Sequence, residues 1–132
     1  MGELLKDHLS KVEEFHDSFG IGNNYKPTVK LSEQDIKLRF DLMREENEEY
    51  LEAAQAGDMV EVADALGDQL YILLGTILKH GMQDKIEEVF NEIQRSNMSK
   101  LGEDGKPIYR EDGKVLKGPN YFKPNIDKIL SL

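Results

Sequence analysis

The chain of 132 residues contains no cysteine and no tryptophan, and it has only four prolines. The lack of cysteine excludes a disulfide framework and any metal site built on thiolates. It also fits a reducing compartment, so we expect a cytoplasmic location. A chain of this length is expected to form one domain, with residues 1–97 as a helical body and residues 98–132 as a basic loop and C-terminal segment.

Long hydrophobic runs are also missing from the sequence. The longest apolar run, residues 71–78, is too short to cross a bilayer, and the first residues lack the apolar stretch of a signal peptide. We therefore predict that the protein has no membrane partner.

Positive charge is scarce, with 17 lysine and arginine residues against 26 aspartate and glutamate residues and a net charge of −9. Such a chain repels the phosphate backbone of nucleic acids, so we predict no nucleic-acid partner. Residues 1–97 contain 10 basic and 21 acidic residues, whereas residues 98–132 contain 7 and 5. An acidic body with a mildly basic tail suits an enzyme that binds metal ions and phosphate, although acidic proteins without this function are common.

Apolar residues recur at three- and four-residue steps and predict an all-α fold. Four main helices are expected, over residues 3–19, 33–55, from after Asp58 to about 80, and 83–97. Gly57 and Gly81 are expected to end the second and third helices, and such short connections favour an antiparallel bundle. An irregular segment with a small hairpin or a pair of turns follows, and Asn125 is expected to cap a short last helix.

The second half of the third helix, residues 70–78, is apolar on nearly every face. A helix of this kind is normally buried on all sides, which a small bundle cannot provide alone. The sequence therefore predicts a homo-oligomer, either a dimer or a dimer of dimers. His16 lies on the apolar face of the first helix, and we expect a packed, hydrogen-bonded histidine there instead of a metal ligand.

Carboxylates interrupt the apolar stripes of two neighbouring helices. Glu45, Glu46 and Glu49 fall within a sector of about 100° on the second helix, and a narrower sector of the third helix contains Glu61, Asp64 and Asp68. Either run alone is more typical of a solvated face. Clustered and partly buried carboxylates, however, must take up protons or bind cations. Hard divalent ions with oxygen ligands fit best, so we predict Mg²⁺ as the cofactor, with Mn²⁺ as a substitute.

The pattern Glu-Glu-x-x-Glu on one helix, followed by a carboxylate motif that ends in Asp68, resembles the MazG-like superfamily of all-α nucleoside triphosphate pyrophosphohydrolases. This superfamily includes phosphoribosyl-ATP pyrophosphohydrolase and the dimeric dUTPases. Further elements resemble one bacterial branch in order and spacing: Glu14-Phe15-His16, Asp68-x-Leu70-Tyr71, Ser96-Asn97-Met98-Ser99-Lys100 and the run from Asp112 to Lys117.

The resemblance implies a metal-dependent hydrolase that converts a ribo- or deoxyribonucleoside triphosphate, such as dUTP or a non-standard nucleotide, into the monophosphate and pyrophosphate. The cellular role would be cleaning of the nucleotide pool. Phosphoribosyl-ATP is an alternative substrate. A helical module that binds metal or nucleotide without catalysis is an alternative function.

The resemblance also implies roles for individual residues. Metal ions would be held by Glu46, Glu49, Asp64 and Asp68, with Glu61 as a further candidate, and Glu45 would orient or deprotonate the attacking water. The nucleotide would be met by Asn97, Lys100, Lys114 and Lys117. One position departs from the family pattern, because aligning its final Asp with Asp68 places Ala65 where a glutamate is expected. We favour Asp64 as the substitute, and the pair Glu61 and Asp64 is the alternative alignment.

Overall fold

The computed structural model describes residues 2–131, and the regular secondary structure of this part of the chain consists of helices and one isolated β-bridge. Its helices are α1 (Gly2–Ser18), α2 (Glu33–Ala56), α3 (Met59–Lys79), α4 (Ile86–Met98) and α5 (Ile126–Leu130). The predicted all-α class with four main helices is thus confirmed. Leu132, the predicted end of the last helix, lies outside the described residues. Within them, no helix has both the length and the apolar character needed to cross a bilayer.

Local capping signals set the helix ends that frame the site. Ser32 caps α2 and accepts a hydrogen bond from the backbone N–H of Asp35, and Asp58 caps α3 in the same way through Glu61. Gly57 ends α2 with φ of 71°, a left-handed conformation that favours glycine. Only α4 differs clearly from prediction, because residues 83–85 form a turn and delay its start to Ile86.

The chain forms two compact units, one up to Asp84 and one from Lys85 onward. In the first unit, Arg39 of α2 contacts Ile72 of α3, and Asn47 contacts Gln69. The later residue of α2 therefore contacts the earlier residue of α3, so the two helices are antiparallel. The hydrophobic core of this unit contains Leu9, Val12, Ala53, Ala65, Leu74 and Leu78.

Polar side chains also pack inside the first unit. His16 is buried, as predicted, and its Nδ1 atom donates to Asn23 Oδ1 at 2.7 Å. The buried Arg39 donates to the carbonyl oxygen of Ile72 at 2.9 Å and to Thr76 Oγ1 at 3.1 Å. Both side chains approach α3 at Gly75, where an added Cβ would lie 2.7 Å from Arg39 Nη2 and 2.9 Å from His16 Nε2. The missing side chain of Gly75 therefore makes room for this polar contact.

The second unit consists of α4, the irregular segment and α5. Ser96 Oγ of α4 donates to the carbonyl oxygen of Phe122 at 2.8 Å, and the backbone N–H of Asn125 donates to Glu92 Oε2 at 2.7 Å. Within the segment, Tyr109 and Val115 form an antiparallel bridge, which confirms the predicted small hairpin. Hydrogen bonds therefore order a stretch that has little secondary structure of its own.

Candidate functional site

Three of the predicted carboxylates come together where α2 passes α3. One oxygen each of Glu46, Glu49 and Asp68 lies within 4.8 Å of the others. Glu46 and Glu49 are one turn apart on α2, and Asp68 faces them from α3. Beside this acidic cluster, Gln69 Nε2 donates to Asn47 Oδ1 at 3.1 Å, a contact that links the two helices at the same level.

The acidic cluster is electrostatically strained in the absence of a cation. Burial of the carboxyl, followed by the neighbouring Glu49, Asp68 and Asp64, raises the pKa of Glu46 to about 7. Burial and the charges of Asp64 and Glu49 also raise the pKa of Asp68. The Oε2 atom of Glu46 is buried and has no hydrogen-bond partner. Among residues 2–131, none of these four carboxylates forms an ion pair with a lysine or arginine.

This donor set fits a hard divalent cation. Mg²⁺ binds oxygen ligands at about 2.0–2.1 Å, so two ligands of one ion lie at most about 4.2 Å apart. Oxygens that already lie within 4.8 Å of one another need only small side-chain rotations to reach this spacing. The unpartnered Oε2 atom of Glu46 supplies an acceptor that the chain itself leaves unused.

The other acidic residues named from the sequence lie around this cluster. Asp64 is exposed, yet its charge contributes to the raised pKa of both Glu46 and Asp68. Glu45 is exposed and is not one of the three converging residues. Glu61 is exposed in the first turn of α3, where its backbone N–H donates to Asp58 Oδ1.

Ala65, which the favoured alignment places where the family pattern has glutamate, is 2% exposed and belongs to the core of the first unit. It lies one turn before Asp68 on α3, so this position faces inward. A glutamate here would add a buried carboxylate one turn from the acidic cluster.

The four predicted substrate contacts all lie in the second unit. Asn97 is exposed in the last turn of α4, and Lys100 follows that helix, where its carbonyl oxygen accepts from the N–H of Gly118 at 2.8 Å. Lys114 is exposed on the hairpin. Lys117 is also exposed, and its Nζ atom lies 4.8 Å from the centre of the Tyr121 ring.

Two residues of α2 that form hydrogen bonds with α3, Arg39 and Asn47, were not identified from the sequence. Arg39 precedes Glu46 by seven residues and Ala53 follows it by seven, a spacing that keeps all three on one face of α2. This periodicity is the sequence signal that could have predicted the burial of Arg39. Asn47 gave no comparable signal, because its role depends on meeting Gln69 across the helix pair.

A pocket of about 280 Å³ lies elsewhere in the first unit, and none of the predicted site residues lines it. Its lining consists of Lys6, Leu9, Ser10, Glu13, Tyr25, Leu78, Gln83 and Asp84. The acidic cluster is open to solvent, since Glu49 is exposed. We place the candidate site at the acidic cluster because its uncompensated negative charge favours the binding of a cation. The pocket is distinguished only by its shape.

Comparison with known proteins identifies the family of the chain. The family model described as phosphoribosyl-ATP pyrophosphohydrolase matches residues 12–97, a stretch that includes all of α2 and α3. The uncharacterised protein L479 of Acanthamoeba polyphaga mimivirus is 37% identical over 67 residues, which are 48% of this chain and 27% of that protein. This chain therefore spans about a quarter of the length of that relative.

A solved structure supports the fold. The crystal structure of a candidate NTP pyrophosphohydrolase from Exiguobacterium sp. 255-15 matches with a TM-score of 0.50 and 22% identity, over 94% of this chain and 92% of that chain. The family match covers well over half of the chain. The resemblance read from the motifs is thus confirmed, and the chain belongs to the phosphoribosyl-ATP pyrophosphohydrolase family within the MazG-like all-α NTP pyrophosphohydrolases.

Proposed function

We propose that this protein is a metal-dependent nucleoside triphosphate pyrophosphohydrolase that releases a nucleoside monophosphate and pyrophosphate. The observation that carries the proposal is the acidic cluster of Glu46, Glu49 and Asp68, with which no lysine or arginine among residues 2–131 forms an ion pair. Without a cation the cluster would repel a triphosphate. The cofactor in this proposal is Mg²⁺, and Mn²⁺ substitutes for it.

In this proposal Glu46, Glu49 and Asp68 hold the metal, with Asp64 beside them and Glu61 as a further candidate ligand. When bound, the ion neutralises charge on the phosphate oxygens and makes a water more acidic. The chain contributes a fixed arrangement of oxygens, since Glu46 and Asp68 sit on two packed helices.

Glu45 is the proposed base of the reaction. Its exposed carboxylate accepts a proton from a water whose oxygen attacks the α-phosphorus. The bond between the α-phosphorus and the oxygen that bridges to the β-phosphorus breaks, and pyrophosphate leaves. Asn97, Lys100, Lys114 and Lys117 are the proposed contacts to the nucleotide.

We also propose that the protein works as a homodimer in the cytoplasm, with a dimer of dimers as the larger alternative. Three leucines at helical spacing on α3 support the dimer, because Leu66, Leu70 and Leu73 are 48%, 49% and 45% exposed. A stripe of this kind is typically covered by another apolar surface.

The experiment that tests the reaction measures pyrophosphate release from a panel of substrates with and without Mg²⁺ or Mn²⁺. The panel contains ribo- and deoxyribonucleoside triphosphates, dUTP, dCTP, oxidised purine nucleotides and phosphoribosyl-ATP. We expect metal-dependent release from one or a few members, which would also identify the substrate. Phosphoribosyl-ATP belongs in the panel because the matching family carries its name.

A matched pair of variants tests the site. Glu49→Gln should abolish turnover and the rise in melting temperature that Mg²⁺ causes, because it replaces a charged carboxylate of the acidic cluster with a neutral amide. Glu48→Gln is the control, since Glu48 is the neighbouring exposed residue of α2 and lies outside the acidic cluster. Equal effects of the two changes would count against the proposed ligand set.

A non-catalytic module is the second candidate function, and the buried Ala65 is the observation that favours it. A protein of this kind would still be stabilised by Mg²⁺ but would turn over no member of the panel. Ala65→Glu would then be the first change to test for recovered activity.

A further inference from the structure

The hairpin of the second unit presents two distinct faces. The backbone N–H of Arg110 donates to the carbonyl oxygen of Lys114, and that of Leu116 donates to Ile108, both at 2.8 Å. Tyr109 and Val115 therefore face each other as a pair without hydrogen bonds between them, the arrangement in which side chains of an antiparallel pair lie closest. Both side chains project from the same face of the hairpin.

One of these faces combines an aromatic ring with a cation. Side chains alternate along a strand, so Lys117, two residues after Val115, continues the face of Tyr109, whereas Arg110 and Lys114 lie on the other face. Tyr109 is 61% exposed and Val115 is 47% exposed. We call Tyr109, Val115 and Lys117 the Tyr109 face.

The charges on the two faces differ in availability. Arg110 on the opposite face is paired with Asp112. Lys117 forms no ion pair among the described residues, and its ammonium group lies over the ring of Tyr121. The Tyr109 face therefore offers a positive charge that is free to meet an anion.

This combination matches the chemistry of a nucleotide. A tyrosine ring provides a large flat surface on which any base can stack, and a lysine ammonium binds phosphate oxygens. The charge distribution points the same way, because residues 98–132 contain 7 basic and 5 acidic residues in a chain that is otherwise strongly acidic. An anionic ligand is therefore attracted to this segment more than to the rest of the protein.

We propose that Tyr109 stacks on the base of the bound nucleotide and that Lys117 contacts a phosphate of the same nucleotide. The proposal rests on the proposed function in one respect, namely that the substrate is a nucleotide. Stacking accepts every base, so Tyr109 contributes affinity without selecting the base. Of the two hairpin lysines proposed as contacts to the nucleotide, Lys117 is the one on the same face as Tyr109.

The test uses the full chain in metal-free buffer, with UMP, AMP and ribose 5-phosphate as probes, and follows binding by NMR titration. Tyr109→Leu should weaken UMP and AMP binding about tenfold or more, and it should leave ribose 5-phosphate binding unchanged because that probe has no base. Tyr109→Phe keeps the ring and should behave like the wild type. Lys117→Ala should weaken the binding of all three probes.

Two control variants match these changes in exposure and charge. Tyr25 is also 61% exposed but belongs to the first unit, and Lys106 is an exposed lysine of the same irregular segment. Tyr25→Leu and Lys106→Ala should leave probe binding unchanged. Melting temperatures of the Tyr109, Lys117 and Lys106 variants should equal that of the wild type, since these side chains are exposed.

Several results would overturn the proposal. These are wild-type protein that binds neither UMP nor AMP, Tyr109→Leu with unchanged affinity, and equal weakening of ribose 5-phosphate binding by Tyr109→Leu. Signals of Tyr109 that respond to protein concentration and not to nucleotide would also overturn it, because the face would then be a contact between copies of the chain.

The proposed reaction and the proposed role of Tyr109 fail in different ways. Binding of UMP that depends on Tyr109, together with no pyrophosphate release from any triphosphate, would refute the proposed reaction and leave the Tyr109 face supported. Normal turnover by Tyr109→Leu with an unchanged KM would refute the role of Tyr109 alone.

Discussion

At the scale of one residue, the position of Glu46 suits the proposed metal site but reduces the stability of the metal-free protein. Its carboxyl is partly buried, one oxygen lacks a partner, and three other carboxylates lie nearby, so its pKa is raised from an ordinary 4.5 to about 7. A group whose folded pKa is raised stabilises the folded state fully below the unfolded pKa, and this contribution is lost as pH rises through the folded pKa. The acidic cluster therefore destabilises the metal-free protein at neutral and alkaline pH.

The first prediction is that Glu46→Gln raises the free energy of unfolding of the metal-free protein at pH 8. The amide removes the charge that burial and Glu49 disfavour, and we expect a gain on the order of 1 kcal/mol. Urea unfolding between pH 5 and pH 8 checks this, because the loss of stability with rising pH should be smaller in the variant. The same pH dependence in both proteins would show that Glu46 does not titrate in this range.

His16 should show the opposite sign. Burial lowers its pKa below 6.5, the charges of Arg39 and Lys79 act in the same direction, and the hydrogen bond with Asn23 and the charge of Asp17 oppose them. A lowered histidine pKa means that the unfolded chain takes up the proton first, so stability present above pH 6.5 is lost as pH falls through the folded pKa.

The second prediction is therefore that His16→Gln reduces the acid-induced loss of stability between pH 7 and pH 5. The comparison should be made in a Glu46→Gln background, which removes the opposing titration of the acidic cluster. Urea unfolding at several pH values provides the measurement, and His8→Gln provides the control, because the hydrogen bond of the His8 ring is made within its own helix, to the carbonyl oxygen of Leu4. An effect of His8→Gln as large as that of His16→Gln would contradict the assignment.

At the scale of the helices, the contact between α2 and α3 decides which carboxylates meet. Arg39 donates from α2 to the carbonyl oxygen of Ile72, one turn after Asp68, and the absence of a side chain at Gly75 permits this approach. The register of the two helices is thus linked to the geometry of the acidic cluster. A change at Gly75 tests this link without touching a carboxylate.

The third prediction compares two glycines of α3. Gly67→Ala should stabilise the protein by about 0.5–1 kcal/mol, because alanine favours a helix more than glycine and an added Cβ would meet nothing within 4 Å. Gly75→Ala should destabilise it by about 1–3 kcal/mol in spite of the same gain, because its Cβ would displace Arg39 and His16. Thermal and urea unfolding measure both changes. A stabilised Gly75→Ala variant would show that the polar contact adjusts freely.

At the scale of the whole molecule, the exposed leucines of α3 indicate that the described part of one chain does not bury all of its apolar surface. Leu66, Leu70 and Leu73 form a stripe on α3. In the described part of the chain, nearly half of the surface of each of these residues is exposed. Burying such a stripe against a second copy would contribute about 25 cal/mol per Å² of apolar surface. The proposed homodimer follows from this surface.

The fourth prediction is that Leu70→Glu shifts the protein toward the monomer, because it places a charge in the centre of the stripe. Sedimentation velocity over a range of protein concentrations measures the change. Leu70→Met keeps the apolar surface and should keep the assembly of the wild type. A wild-type protein that sediments as a monomer at all concentrations would contradict the proposed dimer.

Much of the fold was predictable because its signals are local. Ser32, Asp58 and Gly57 mark helix ends through interactions within three or four residues, so the bounds of α2 and α3 follow from the sequence alone. The start of α4 was predicted three residues too early, because the turn at residues 83–85 contains no clear capping signal of that kind. The hairpin was also predictable, since its turn contains the pair Asp112-Gly113.

The sequence by itself determined the all-α fold, the two acidic helix faces and the family, because these depend on periodicity and short-range spacing. Only the tertiary structure decided that Glu46, Glu49 and Asp68 converge while Glu45 and Asp64 are not among the converging residues. A helical wheel gives the direction of a side chain around its own helix, but not the register or distance of the neighbouring helix. Those depend on contacts such as that of Arg39 with α3, which join residues more than thirty positions apart in the chain.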